Sequence, residues 1–170
     1  MAEPVQETGV ADATAALIAS LAARGITVAV AESLTGGALA AELTRPAGAS
    51  AVVLGGVVVY ATELKHTLVG VDVNLLEIEG PVHPDVAAQL ADGVRERLRV
   101  SGRPAGIGVS TTGVAGPSSQ GGRLPGTVFL GISSAVGTRV VALELSGSRA
   151  EIRAQVVERA IAELVAEARE

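Results

Sequence analysis

Cysteine is absent from the 170 residues. Disulfides, thiol nucleophiles and zinc–thiolate sites are therefore excluded. Aromatic residues are nearly absent too, with one Tyr, one Phe and no Trp. A binder of single-stranded nucleic acid needs stacking platforms that this chain does not have. Basic charge is also short. The net charge is -5 and the sequence pI is about 5.1, which argues against the basic face a nucleic-acid binder carries. The uncharged stretch from Pro46 to Thr62 is broken by Gly48, Gly55 and Gly56. It falls short of the roughly 20 residues a helix needs to span a bilayer. The first ten residues carry Glu3 and Glu7 and no apolar run, which predicts no signal peptide. The expectation is a soluble, cytoplasmic protein with neither a nucleic-acid nor a membrane partner.

Histidine is limited to His66 and His83. Neither has HExxH spacing, and no GxSxG elbow exists for a Ser-His-Asp triad. No metal site and no cofactor are expected. His83, just before Pro84, stands where a helix cap belongs. Glu77 and Glu79 read as solvated loop charges.

What is present is apolar. Hydrophobic residues make up 48% and charged residues 18%, enough for one core and too apolar for disorder. Length predicts one domain, taken as residues 11–170 behind a flexible segment 1–10. The mean hydropathy of +0.46 comes from Ala and Val, which suits buried parallel strands between helices. The same Ala/Val surplus makes a homo-oligomer an expectation.

The 13 basic residues are 12 Arg and one Lys, Lys65. The only Tyr, Tyr60, lies five residues earlier. Arg keeps its proton at any usable pH, whereas a desolvated Lys can act as a base. Compositional drift toward Arg would also leave one Lys behind, so counts alone keep both readings open.

Apolar periodicity and caps predict helices at Val10–Arg24, from Gly37 to Leu43, at Ala61–Leu68, from Pro84 to Leu98, and after the capping box Ser148–Glu151. Strands are predicted at Ile26–Ala31, Val52–Tyr60, Ala105–Ser110, Gly126–Ser133 and Thr138–Leu145, the last two as an antiparallel hairpin. Asp72–Val82 reads as irregular or short-helical. Ser118–Pro125 reads as a mobile Gly/Ser-rich loop. The order of elements predicts a three-layer α/β/α sandwich with a mixed sheet.

Two strand ends could carry chemistry, because ligands of α/β folds bind outside the carboxyl ends of strands. Ser33 follows the first strand, and Thr35, Gly36 and Gly37 open the next helix. Free N–H groups and positive dipole there suit an oxyanion or a phosphate. A bare N-cap role for Ser33 or Thr35 stays open. The turn Thr111–Pro117 follows another strand, and Gly113 and Gly116 offer a phosphate cradle. It is not a Walker A loop, and a simple tight turn remains the alternative.

Together these residues resemble the CinA C-terminal domain family, which includes the nicotinamide-nucleotide amidohydrolases. Ala31-Glu32-Ser33-Leu34-Thr35-Gly36-Gly37 resembles its AES-x-TGG signature, and Tyr60 to Lys65 its Y-x4-K segment. Thr112-Gly113-Val114-Ala115-Gly116-Pro117 resembles its TG-x-AGP loop, and Gly126-Thr127-Val128 its GTV strand. Gly147-Ser148-Arg149, with Ile152-Arg153, resembles the start of its last helix. The likeness runs from about Ala11 to Ala168.

The resemblance implies hydrolysis of the carboxamide of nicotinamide mononucleotide, giving nicotinate mononucleotide and ammonia. It implies the stand-alone form, without the molybdopterin-binding-like domain of larger relatives. It also implies a Ser/Lys mechanism on Ser33, Tyr60 and Lys65. The nucleotide would be held by Thr35, Gly36, Gly37, Thr112, Gly113, Gly116 and Arg149. In this reading Lys65 takes the Ser33 proton, Tyr60 relays it or holds the amine, and the helix opening at Thr35–Gly37 stabilises the oxyanion. Pro81 and His83 depart from the family's Gly-Ala-Val-Ser at a helix cap. Arg123-Leu124-Pro125 departs from its Lys-Pro-Val beside the ligand loop. Two other classes stand beside the enzyme: a catalytically silent ligand-binding or regulatory domain, and a DNA-uptake partner. Acidic charge and few aromatics argue against the last.

Overall fold

A computed structural model describes residues 8–169, with side chains from Ala13 onward. Five strands form one sheet in the order β2-β1-β3-β4-β5. They are β1 Val28–Glu32, β2 Val53–Val58, β3 Ile107–Gly113, β4 Thr127–Ser134 and β5 Gly137–Glu144. β1 pairs in parallel with both β2 and β3, while β3, β4 and β5 run antiparallel in turn. The mixed sheet expected from the order of elements is therefore present.

β1 is central because it is apolar on both faces. Val28 and Val30 join the core under α1 (Thr8–Arg24), α2 (Ala38–Thr44) and α6 (Arg149–Glu167), which also takes in Leu21, Leu39 and Val156. Ala29 and Ala31 face the other core, with Val86, Leu90 and Val94 of α5 (Pro84–Arg97). Burial on both sides explains the continuous apolar run where a half-exposed strand would alternate. Helices on both faces complete the three layers.

Caps set the helix starts. The His83 ring Nδ1 accepts from the Asp85 N–H at 3.2 Å, and Pro84 holds the first helical position of α5. His83 thus caps α5 with its own ring nitrogen. Ser148 and Glu151 close a full capping box on α6. Asp72 caps α4 (Val73–Glu79), so most of the segment expected as irregular or short-helical is a helix. α3 spans Thr62–Thr67.

α5 lies directly on the sheet because two positions lack a side chain. A Cβ on Gly108 would meet the Ala91 carbonyl, and one on Gly131 the Ala87 carbonyl. Both are backbone atoms of a helix that cannot give way. Gly131→Ala should therefore destabilise the fold by about 1–3 kcal/mol through overpacking, read as a lower midpoint in urea with an unchanged slope.

Three expectations shift. β3 runs on through Thr111-Thr112-Gly113, so the turn after it begins at Val114. Register with β4 carries the strand three residues beyond the local apolar run. In the loop after it, Gln120 and Arg123 exchange both backbone hydrogen bonds, at 3.0 and 2.9 Å, so Ser118–Pro125 contains a paired turn. Of the segment expected to be flexible, residues 1–7 lie outside the described residues, and Thr8–Val10 already belong to α1.

Candidate active site

β1, β2 and β3 are mutually parallel, so their carboxyl ends meet at one edge of the sheet. Ser33 follows β1, Val59 and Tyr60 follow β2, and Val114 follows β3. The candidate site is built where these three ends converge.

Ser33 sits in a tight turn. Its N–H donates to the Thr111 carbonyl at 3.0 Å and lies 3.2 Å from Thr111 Oγ1, across the β1–β3 ladder. Gly36 closes the turn by donating its N–H to the Ser33 carbonyl at 3.1 Å. The turn needs φ of +60° at Gly36 and +100° at Gly37. Glycine reaches those values without the Cβ clash that other residues suffer there.

Lys65 comes from α3 and is 1% exposed. Its Nζ donates to the Val59 carbonyl at 2.7 Å and to Ser33 Oγ at 3.1 Å. Burial pushes the amine down to about 8, because the charged form loses its hydration. Among the described residues, only the Ser33 hydroxyl and one carbonyl bond the amine in return. The single Lys of the chain is thus placed against the Ser of the first strand end.

Beside the pair is a cavity of about 110 Å³. Seven of the ten predicted site residues line it: Ser33, Tyr60, Lys65, Thr112, Gly113, Gly116 and Arg149. Thr112 donates its hydroxyl to the Pro81 carbonyl at 2.5 Å, pinning the α4–α5 connection to the cavity wall. Arg149 donates to the Gly116 carbonyl at 2.7 Å and to the Tyr60 hydroxyl at 2.9 Å. No carboxylate lines the cavity, although Lys65 and Arg149 both do. On an acidic chain, this makes a local positive field.

Thr35, Gly36 and Gly37 are not brought to the cavity. Thr35 is buried with its hydroxyl on Thr111 Oγ1 at 2.8 Å. The N–H groups at the start of α2 are occupied as well. Glu32, 1% exposed, accepts from Gly37, Leu39 and Ala40 at 3.0, 3.0 and 2.8 Å. A carboxylate of the chain itself fills the anion position expected for an oxyanion. Tyr60 also moves from its expected place. It is 58% exposed and its hydroxyl bonds Arg149, while the Lys65 amine is held by the Val59 carbonyl instead.

Sequence reasoning gives no role to Glu32, although it stands inside the AES-x-TGG signature. Nor does it give one to Arg153, one helical turn beyond Arg149, which bonds the carbonyls of Leu34 and Thr35. That i,i+4 spacing was the available signal. His66 faces away from the pair, with Nδ1 2.7 Å from the Val71 carbonyl. Among the described residues, no cluster of His, Cys, Asp and Glu could hold a metal ion, and no helix is long and apolar enough to cross a membrane.

A mixed α/β sandwich with a buried lysine on a serine at its strand ends defines an α/β protein with a serine–lysine site. Residues 10–168 match the CinA C-terminal domain. The chain belongs to the CinA C-terminal domain family. It is 46% identical over 137 residues to a CinA-like protein of Frankia casuarinae, covering 81% of this chain and 30% of that one. It is 44% identical over 131 residues to a competence-damage inducible protein of Bacillus cereus strain AH187, covering 76% of this chain and 31% of that one. The chain thus spans about a third of the length of these curated relatives. Among solved structures, it superposes on the competence/damage inducible protein CihA of Agrobacterium tumefaciens with a TM-score of 0.87 at 31% identity. That match covers 96% of this chain and 98% of the other. A CinA superfamily protein of Klebsiella pneumoniae 700603 gives the same TM-score at 28% identity, covering 95% and 98%.

Proposed function

We propose that this protein hydrolyses the carboxamide of nicotinamide mononucleotide, releasing ammonia and nicotinate mononucleotide through an acyl-enzyme on Ser33. The observation that carries the reading is the Lys65 amine, buried and lowered to about 8, 3.1 Å from Ser33 Oγ. A serine hydroxyl becomes a competent nucleophile only when a base takes its proton. Among the described residues, the neutral fraction of Lys65 is the one base bonded to the Ser33 hydroxyl.

In the first step Ser33 Oγ bonds to the carboxamide carbon and its proton passes to Lys65 Nζ. The carbonyl electron pair moves onto oxygen. When the C–N bond breaks, Lys65 returns that proton to the departing nitrogen, which leaves as ammonia. Water then attacks the ester, Lys65 takes its proton, and the proton goes back to Ser33 Oγ as the acid is released. The Val59 carbonyl keeps the amine aimed throughout. Leu34 follows the nucleophile, and its N–H donates to no described protein group. A free donor next to the nucleophile supports its use toward the oxyanion.

The mouth of the cavity is where this reading puts the nucleotide phosphate. Arg149 lies there without a carboxylate partner among the described residues. The N–H groups of Ala115 and Gly116 donate to no described protein group either. Arg149→Ala should raise KM for the mononucleotide about 10–100-fold, the worth of a charge-assisted hydrogen bond. Any turnover of free nicotinamide should change far less, in steady-state assays run side by side. An equal loss on both substrates assigns Arg149 to the Tyr60–Gly116 scaffold alone.

Ammonia release from nicotinamide mononucleotide by the purified protein tests the reading directly. Binding of the nucleotide without ammonia release would instead make this a ligand-binding domain on the same fold.

A further inference from the structure

Ser33 to Gly36 form a β-turn. Such a turn leaves the peptide groups of its two central residues, here Leu34 and Thr35, without partners inside it. The Leu34 carbonyl finds one on α6, and the Thr35 carbonyl, which accepts from the Ala38 N–H at 3.1 Å, finds a second there. Arg153 donates from Nε to the Leu34 carbonyl and from Nη2 to the Thr35 carbonyl, both at 2.9 Å. The half-buried guanidinium pairs with no carboxylate among the described residues. The N–H groups of Leu34 and Thr35 donate to no described protein group.

The central peptide of a β-turn can take two orientations, which separate type I from type II turns. In a planar trans peptide the carbonyl and the following N–H point in opposite directions. With the Leu34 carbonyl drawn to α6, the Thr35 N–H must point away from α6. A planar fork can hold two adjacent carbonyls at once, whereas an ammonium is a point charge without that geometry.

We propose that Arg153 is a positioning residue for Ser33: by holding the Leu34 and Thr35 carbonyls, its guanidinium locks the turn after Ser33 in the one conformation that leaves the Leu34 N–H free beside the nucleophile to meet the oxyanion. The inference rests on the acyl-transfer reading above. Arg153 does not line the cavity, so it acts through the turn and not on the substrate.

Arg153→Ala and Arg153→Lys test it in the intact protein, with and without non-denaturing guanidinium chloride. Two rates are read: ammonia release from nicotinamide mononucleotide, and phosphonylation of Ser33 by a small fluorophosphonate. The expected result for both variants is a kcat about 100-fold lower with KM unchanged, the loss typical of one oxyanion donor. Labelling should slow in parallel, and added guanidinium should restore part of the rate to the Ala variant only. A purely structural strut would lose thermal stability without such rescue, and that result overturns the proposal. Labelling of either variant at the wild-type rate also overturns it. If the Ala variant does not fold, the Lys variant decides alone by its labelling rate. Wild-type protein that labels at Ser33 but releases no ammonia refutes the substrate reading alone, and the labelling rates still judge Arg153. Wild-type protein that does not label at all refutes both.

Discussion

Ser33→Ala should abolish ammonia release, by about 10³-fold or more, while the protein stays folded. The magnitude follows from what the hydroxyl does. In the proposed mechanism it is the atom that bonds the carbonyl carbon, and removing the nucleophile of a cooperating set costs as much as removing the whole set. The fold should not suffer, because among the described residues Ser33 Oγ bonds only Lys65, and Lys65 keeps the Val59 carbonyl. The Ser33 N–H bond to Thr111 belongs to the backbone and survives. Calorimetric binding of the nucleotide should be nearly unchanged. A quenched reaction of the wild type, analysed by mass spectrometry, should show the nicotinyl ester on the peptide containing Ser33. Near-normal turnover in the Ala variant would remove Ser33 from the mechanism.

Replacing Lys65 should be as damaging, and here arginine separates a base from a charge. If the site needed only a cation, Lys65→Arg would be tolerated. A guanidinium stays protonated at any usable pH and cannot accept the serine proton. Lys65→Arg should therefore fail nearly as badly as Lys65→Met. The pH profile follows with its sign. As the proposed base the amine must be neutral, and burial lowers it to about 8. Activity should rise with pH up to and through about 8 and fall on the acid side, with about 10% of the base neutral at pH 7. The chain has one lysine side chain, so its ammonium resonance can be titrated without ambiguity. A midpoint near 10.4, the ordinary value, would rule Lys65 out as the base.

The same shift has a consequence for stability. Between about 8 and the unfolded value near 10.4, the unfolded chain holds more protons at Lys65 than the folded protein does. Stability should therefore rise with pH across that window. Below it, the folded protein carries a buried ammonium at a cost. Lys65→Met should remove that cost, giving a protein that is inactive yet at least as resistant to urea at pH 7. That outcome would mean that function at this site is held against stability.

Much of the arrangement is local and therefore legible in the chain. The Val/Ala run of β1 marks a strand buried on both faces. His83-Pro84 and Ser148 to Glu151 mark two helix starts through side chains that satisfy N–H groups within three residues. The Gly36-Gly37 pair marks the turn after Ser33 through backbone freedom alone, and composition singles out Lys65. The limits of β3 are not legible, because pairing with β4 extends the strand through Thr111-Thr112-Gly113, and partner strands are invisible to a local window.

What the sequence determined by itself was the kind of elements, their order, and the residue types from which a serine–lysine site can be made. Tertiary structure alone decided how those types are used. Lys65 stands 32 residues from Ser33, and only the parallel register of β1 and β2 sets the amine against the hydroxyl. Burial there, and not the neighbouring residues, lowers its affinity for protons. Glu32 lies beside Ser33 in sequence, yet the turn swings its carboxylate onto the N–H groups of α2 and closes that end to a ligand. Tyr60, expected beside the base, stands with Arg149, 89 residues away. Arg153 reaches the turn from 118 residues beyond Thr35. Hydrogen bonds of this range depend on the packing of α6 against the sheet edge, a property of the assembled layers that no segment of the chain carries alone.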